Sequence, residues 1–151
     1  MARARKLAAA TVLCALAAGC GGSSGTTAAF KASYVKASEP IERIGNDVAG
    51  AVEGASRRSF AQVANEFAGL ADRLDTELIE LESLKPPASI ARAFATVTAA
   101  ANRFEDDLRA ISYGASKNDA AAAGTATKAL LADAATLNSA AATIRQKLGI
   151  R

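Results

Sequence analysis

The spacing of apolar residues constrains the fold of this chain more than any other feature of its sequence. After Pro87 they recur at alternating steps of four and three, at Ile90, Phe94, Val97, Ala101, Phe104, Leu108 and Ile111. That spacing puts all seven side chains on one stripe of an α-helix, which is expected where helices pack nearly antiparallel. The segment therefore predicts a helix with one face in a core.

Three other segments carry a similar stripe. The first contains Phe30, Tyr34, Ala37, Ile41, Ile44, Val48 and Ala51; the second contains Phe60, Val63, Phe67, Leu70, Leu74, Leu78, Leu81 and Leu84; the last contains Leu130, Ala134, Leu137, Ala141, Ile144 and Leu148. Short connections near residues 55–58, 85–87 and 114–117 force neighbouring helices to run antiparallel. Ala, the strongest helix former, supplies 40 of the 151 residues. These patterns predict an all-α fold, an antiparallel up-down four-helix bundle over residues 29–151.

Local signals predict where the helices begin and end. Pro40 lacks an amide donor, so we expect a kink or restart near Glu39. Ser59 and Gln62 have the spacing of a capping box at the start of the second helix. Pro87 is well placed to open the third helix.

The sequence between the third and fourth helices contains further candidate signals. Tyr113-Gly114 supplies a C-terminal stop for the third helix, because Gly commonly ends helices. Ser116 and Asn118 are the candidate caps of the fourth helix.

The first twenty residues are typical of an export signal. Residues 1–6 carry three positive charges and no acid, and residues 7–18 form an uncharged run of 12 that is apolar except for Thr11. A membrane span needs about 20 apolar residues, so this run is too short for one. The pattern predicts a signal peptide over residues 1–19 that is removed in the mature protein.

The end of this segment, Leu16-Ala17-Ala18-Gly19-Cys20, resembles the lipobox of bacterial lipoproteins. The resemblance implies cleavage just before Cys20, lipid modification of its thiol and acylation (palmitate) of the new amino terminus. Residues 20–28 are then the lipidated Cys and a flexible Gly/Ser/Thr linker. The expected location is the outward, extracytoplasmic face of the cell membrane, with the membrane as a partner through Cys20. Ordinary signal cleavage after Ala17 is the alternative.

The net charge of the mature chain argues against a nucleic-acid partner. Arg3, Arg5 and Lys6 account for the whole formal excess of +3, and from Cys20 onward 15 basic residues balance 15 acidic ones. Nucleic-acid binding needs a basic stripe that survives processing. We therefore expect no nucleic-acid partner.

The remaining residue types exclude most familiar catalytic and metal chemistry. The chain has no His, and Cys14 lies inside the signal segment, so the mature chain keeps Cys20 alone. Zinc sites and thiol or histidine catalysis then have no ligands or bases. No glycine-flanked serine elbow or Gly-rich phosphate loop is present either. We expect no enzyme, no catalytic residue, and no cofactor or metal site.

The second segment is acidic. Its acidic residues are Glu66, Asp72, Asp75, Glu77, Glu80 and Glu82, against Arg73 alone. The pattern is typical of a solvated helix face with ion pairs four residues apart. It predicts the pairs Arg73–Glu77, Arg103–Asp107 and Glu105–Arg109. An electrostatic docking face and a cation site between facing helices are the alternatives.

The sequence constrains the function of this chain less than it constrains the fold. The run Leu81-Glu-Ser-Leu84-Lys-Pro86-Pro87 is similar to the helix-hairpin turn of small helical lipoproteins of high-GC bacteria, a group with no agreed activity. We expect a non-catalytic, membrane-anchored module of the cell envelope, with an interaction or accessory role and an envelope protein as partner.

Small residues in the stripes leave an alternative function open. At positions 101, 134 and 141 the stripes carry only Ala. Their largest side chains are those of Phe60, Phe67, Phe94 and Phe104. Small residues allow helices to approach closely, but opposite large residues they can leave a groove. Sites between bundle helices often hold ligands. The alternative function is therefore binding of an apolar small molecule or lipid between the helices.

Overall fold

The computed structural model describes residues 23–150 of the chain as a four-helix bundle. The helices are α1 (Ser23–Gly54), α2 (Phe60–Glu82), α3 (Ala88–Ser116) and α4 (Ala120–Leu148), and a 3₁₀ turn, Ala55–Arg57, follows α1. The all-α, four-helix prediction is confirmed. The predicted signal peptide over residues 1–19 and the predicted lipidation site Cys20 lie outside the described residues.

Contacts between helices establish the antiparallel order. Near the middle of α3, Arg103 pairs with Asp133 of α4 at 3.1 Å, and towards its end the hydroxyl of Ser112 donates to the carbonyl of Ala64 in α2 at 2.8 Å. At the opposite end of the bundle, Lys31 Nζ near the start of α1 donates to the carbonyl of Gly149 after α4, at 2.9 Å. Each helix therefore runs antiparallel to the neighbours on both of its sides.

The predicted stripes form the core, with informative exceptions. All seven predicted positions of α3 are at most 6% exposed. Phe60 is exposed because it is the first residue of α2, and Leu84 is half-buried because it lies two residues beyond the end of that helix. The other half-buried positions lie on the two helices that face each other across one side of the bundle: Ile41 on α1, and Ala134, Leu137 and Ala141 on α4.

Of the kink or restart predicted near Glu39, the restart is wrong, because α1 continues through Pro40. Pro removes one intrahelical hydrogen bond, but Ala37 and Ile44 are buried on either side and hold both halves against the core. The same helix begins at Ser23, inside the segment 20–28 for which the sequence predicts a flexible linker. A helix already anchored at Phe30 extends at one hydrogen bond per residue, which accounts for the longer α1.

The start of α2 agrees with the sequence. The backbone amide of Ser59 donates to Gln62 Oε1 at 2.9 Å, and the amide of Gln62 donates to Ser59 Oγ at 3.3 Å. The capping box is therefore confirmed. Pro87 stands one residue earlier than predicted: it precedes the first residue of α3, and its carbonyl accepts from the amides of Ile90 and Ala91.

The predicted turn between α3 and α4 is wrong in its details. Gly114 lies inside α3, and Asn118 ends that helix with a positive φ of 55°. The amide of Asp119 donates to the carbonyl of Gly114, and the amide of Asn118 donates to that of Ala115, both at 2.9 Å. This is the Schellman arrangement. Asp119, rather than Ser116 or Asn118, caps α4 by accepting from the amide of Ala122 at 2.9 Å.

Gly114 has a packing role instead. A Cβ at this buried position would lie 2.7 Å from the backbone nitrogen of Ala123 and 3.1 Å from its Cα. Only Gly permits α3 and α4 to approach this closely. The small residue thus sets the distance between the last two helices.

We predict that Gly114→Ala lowers the free energy of unfolding by about 1–3 kcal/mol, because the clash is with backbone that cannot move aside. Gly69→Ala in α2 is the matched control, since a Cβ there meets nothing within 4 Å. It should stabilise by up to about 1 kcal/mol through helix propensity. Urea unfolding of both variants measures the difference, and a change of the same sign in both would contradict the close approach.

Candidate functional site

A groove runs between α1 and α4 where these two helices stand apart. Its volume is about 580 Å³, within the usual range of small-molecule sites. Ile41, Gly45 and Ala49 line it from α1, and Ala134, Leu137 and Ala141 line it from α4. Its floor consists of Leu81, Val97, Ala101 and Phe104, from α2 and α3. We call this the α1–α4 groove.

The groove exists because the facing side chains are small. Contact between α1 and α4 is sparse, whereas α4 packs extensively on α3. Gly45 and Ala49 face Ala134 and Ala141 across the gap, so little side-chain volume is available to fill it. The half-buried residues of the predicted stripes are therefore the walls of a groove.

Polar residues close one end of the groove. Arg145 Nη1 on α4 donates to Glu42 Oε1 on α1 at 2.7 Å, and Ser38 and Tyr34 lie beside this pair. A second cavity of about 150 Å³ shares the same four residues. The Glu42–Arg145 pair therefore stands between a large cavity and a small one.

Tyr34 supplies a neutral hydroxyl at this end. Its side chain is 2% exposed, and Phe30 and Phe94 pack against its ring. Burial raises the pKa of Tyr34 to about 12, with a further contribution from Glu42 that Arg145 opposes. The phenol is therefore protonated at neutral pH and available as a hydrogen-bond donor.

The predicted ion pairs within helices are mostly replaced by pairs between helices. The Glu105–Arg109 pair is confirmed. The other two predictions are wrong: Arg73 pairs with Asp47 of α1 at 2.9 Å, and Arg103 with Asp133 of α4. A long arginine side chain reaches an acidic residue on the facing helix as readily as one on the next turn of its own helix.

The acidic residues of α2 divide into two groups. Glu66 pairs with Arg58, Asp72 with Arg109 at 3.1 Å, and Glu82 accepts from Asn102 at 2.7 Å. The side chains of Asp75, Glu77 and Glu80 have no hydrogen bond or ion pair within residues 23–150. Ile79, with 66% of its surface exposed, lies one helical turn from Asp75 and next to Glu80, whereas Glu77 lies on the side of α2 that faces Pro40 and Ile44 of α1.

One carboxyl of α3 is held in an unfavourable environment. Partial burial raises the pKa of Asp107, and the facing Asp133 of α4 raises it further. Arg103 opposes the shift and pairs with Asp133. The two carboxylates thus share one guanidinium across the α3–α4 interface, and the buried Oδ2 of Asp107 has no hydrogen-bond partner.

Neither a metal-binding cluster nor a membrane-spanning helix is present in the described part of the chain. Residues 23–150 contain no group of three or more His, Cys, Asp or Glu side chains placed to hold a metal ion. Within the same range, no helix has the length and apolar character needed to cross a bilayer.

Comparison of the chain with protein-family models, curated proteins and solved structures finds no match.

Sequence reasoning found the walls of the groove and missed its polar end. Ala134 and Ala141 were expected to face either a close neighbour or a groove, and they face the groove. Of the four large Phe residues named with them, Phe104 alone lines it. The Glu42–Arg145 pair joins residues 103 positions apart, and no local pattern signals such a contact.

Proposed function

We propose that this protein is a non-catalytic, membrane-anchored module that binds an apolar small molecule or a lipid chain in the α1–α4 groove. The proposal rests on the groove itself, a long and mostly apolar depression between two helices that do not pack closely against each other. The site lies between bundle helices, a recurrent location for ligands.

The composition of the groove walls supports binding over simple loose packing. Ile41 and Leu137 occupy core positions of their stripes but remain half-buried, so an apolar ligand would remove further apolar surface from water. Each Å² removed contributes roughly 25 cal/mol. The small side chains of Gly45, Ala134 and Ala141 leave the space for it.

The proposed anchor fits this arrangement. Cys20 precedes the first residue of α1 by three positions, and α1 begins at the end of the bundle where Lys31 contacts Gly149. A lipid on Cys20 would hold that end, with Tyr34 and Arg145, near the bilayer surface. The support for lipidation is the lipobox-like run Leu16–Cys20 and the apolar run before it.

We predict that Gly45→Phe blocks the groove. A Cβ at Gly45 meets nothing within 4 Å, so the ring has room to enter the space that a ligand would take. The test uses the chain from residue 20 with Cys20→Ser, which keeps every described helix and carries no lipid of its own. Titration with the neutral apolar dye Nile red should show an affinity at least about tenfold lower in Gly45→Phe, a loss of ~1.4 kcal/mol.

Gly69→Phe is the matched control, because Gly69 is an exposed helical glycine outside the groove with equal room for a ring. Its dye affinity should equal that of the parent chain. Equal binding by all three proteins, or no saturable binding by the parent, would contradict the proposed site.

The anchor has its own test. In cells, Cys20→Ser should remove metabolic labelling by a fatty-acid analogue and release the protein from the membrane fraction, because a serine hydroxyl does not replace the thiol. A Cys14→Ser variant is the control and should keep both properties, since Cys14 lies in the segment proposed to be removed. Labelling that survives Cys20→Ser would rule out this anchor.

A second candidate function is docking to an envelope protein through α2. The observation that favours it is the exposed Ile79 beside the unpaired side chains of Asp75 and Glu80. An apolar residue flanked by free carboxylates suits a partner with an apolar pocket and a basic rim.

We predict that Ile79→Lys abolishes a specific cross-link to such a partner in cells. Leu131→Lys is the matched control, because Leu131 is similarly exposed, at 57%, but lies on α4. Cross-linking mass spectrometry compares both variants with the parent protein. If no neighbour is recovered reproducibly, or if the two substitutions act equally, docking through α2 is excluded.

A further inference from the structure

The polar end of the α1–α4 groove is built differently from the rest of it. Tyr34, Ser38, Glu42 and Arg145 line both the large cavity and the small one beside it. Away from this end, the lining of the large cavity is apolar except for Asn46 on α1 and Asn138 on α4. A ligand that fills the groove therefore meets one polar terminus and a long apolar wall.

The groove beyond Arg145 accommodates most of one alkyl chain. Its wall on α4 extends from Arg145 to Ala134, which spans about 16 Å at ~1.5 Å per residue. A fully extended chain of about 16 carbons spans ~20 Å, given carbon–carbon bonds of ~1.5 Å and tetrahedral angles. One long chain thus runs the length of the groove from Arg145, with its last carbons reaching beyond Ala134.

The charges at the polar end favour an anion there. Arg145 uses Nη1 in its bond to Glu42, and a guanidinium carries five N–H donors, so further donors are available in a geometry that suits carboxylate or phosphate. Glu39, the other acid at this end, is paired with Arg43 at 2.8 Å. The side chain of Glu42 is 56% exposed against 40% for Arg145, so Glu42 is the partner that can turn out to water.

We propose that the groove binds a single-chain amphiphile with an anionic head, and that Arg145 holds the head while the alkyl chain extends towards Ala49. This inference rests on the proposed function and specifies its ligand class. Glu42 acts as the internal competitor that pairs with Arg145 when no other anion does. The hydroxyl of Tyr34 is the further donor to the head, whereas the hydroxyl of Ser38 donates to the carbonyl of Val35 at 3.4 Å.

The test compares ligands that share a chain of 16 carbons and differ in the head. Hexadecanoate, hexadecyl phosphate, hexadecanol and hexadecyltrimethylammonium compete with Nile red on the Cys20→Ser chain, below their aggregation concentrations. An anionic form should bind about tenfold more tightly than the alcohol, as expected for a charge-assisted bidentate pair. Preference for the carboxylate indicates a fatty acid as the natural ligand, and preference for the phosphate indicates a lipid headgroup.

Two substitutions with opposite effects make the test specific. Arg145→Gln should bring the ratio of anion to alcohol affinity close to one, because the charged donor is lost. Glu42→Gln should raise the same ratio, because the competing carboxylate is lost. Arg73→Gln is the control: it removes a cation from the exposed Arg73–Asp47 pair outside the groove and should leave the ratio as it is.

The outcomes separate the two proposals. If none of the four ligands displaces the dye, the proposed function fails. If the alcohol binds as tightly as the anions and neither substitution changes the ratio, the groove binds apolar chains but the assignment of Arg145 is overturned. Tighter binding of the ammonium compound would also overturn it, because Glu42 would then be the group that recognises the head.

Discussion

The close approach of α3 and α4 is the constraint on which the rest of this structure depends. Gly114 leaves room for the backbone of Ala123, and no larger residue fits that space. A helix built largely of Ala gains packing energy only where it comes very near a neighbour, because each small side chain offers few atoms for contact. Once α4 lies against α3, its opposite side is too far from α1 for equally small residues to touch.

The groove and its chemistry follow from that placement. Side chains on the facing surfaces of α1 and α4 are mostly small along the groove, and the longer polar ones, Glu42 and Arg145, bridge the gap at one end. An exposed ion pair contributes little to stability, typically 0–1 kcal/mol. The Glu42–Arg145 pair therefore closes this end of the groove only weakly, and another anion can displace Glu42 from Arg145. The apolar contacts on the other sides of the bundle differ in this respect.

Sequence patterns predicted the helices well because helical periodicity is a local property. Every predicted core position of α3 is buried, and the capping box at Ser59 is present. The same patterns could not distinguish Ala101, which is fully buried in the floor of the groove, from Ala134, which is half-buried in its wall, although both lie on equivalent stripes. An apolar stripe indicates which side of a helix faces its neighbours. The distance between the two helices, however, depends on residues far away in sequence.

The errors have the same origin. Gly114 has the local appearance of a helix stop, and its contact with α4 becomes evident only when Ala123 is seen opposite. Arg73 and Arg103 have suitable acids one turn away, yet both pair with acids of other helices. The polar end of the groove depends on a pair separated by 103 positions. Local rules therefore define the scaffold, and tertiary distances define the candidate site.

Native mass spectrometry of the Cys20→Ser chain, recovered without detergent from the cells that make it, tests the ligand-binding role most directly. The expected result is a population of protein carrying one added mass, which dissociates as a single-chain anionic amphiphile. Protein found only at its bare polypeptide mass, under conditions that preserve such complexes in a known lipid-binding protein, would contradict it.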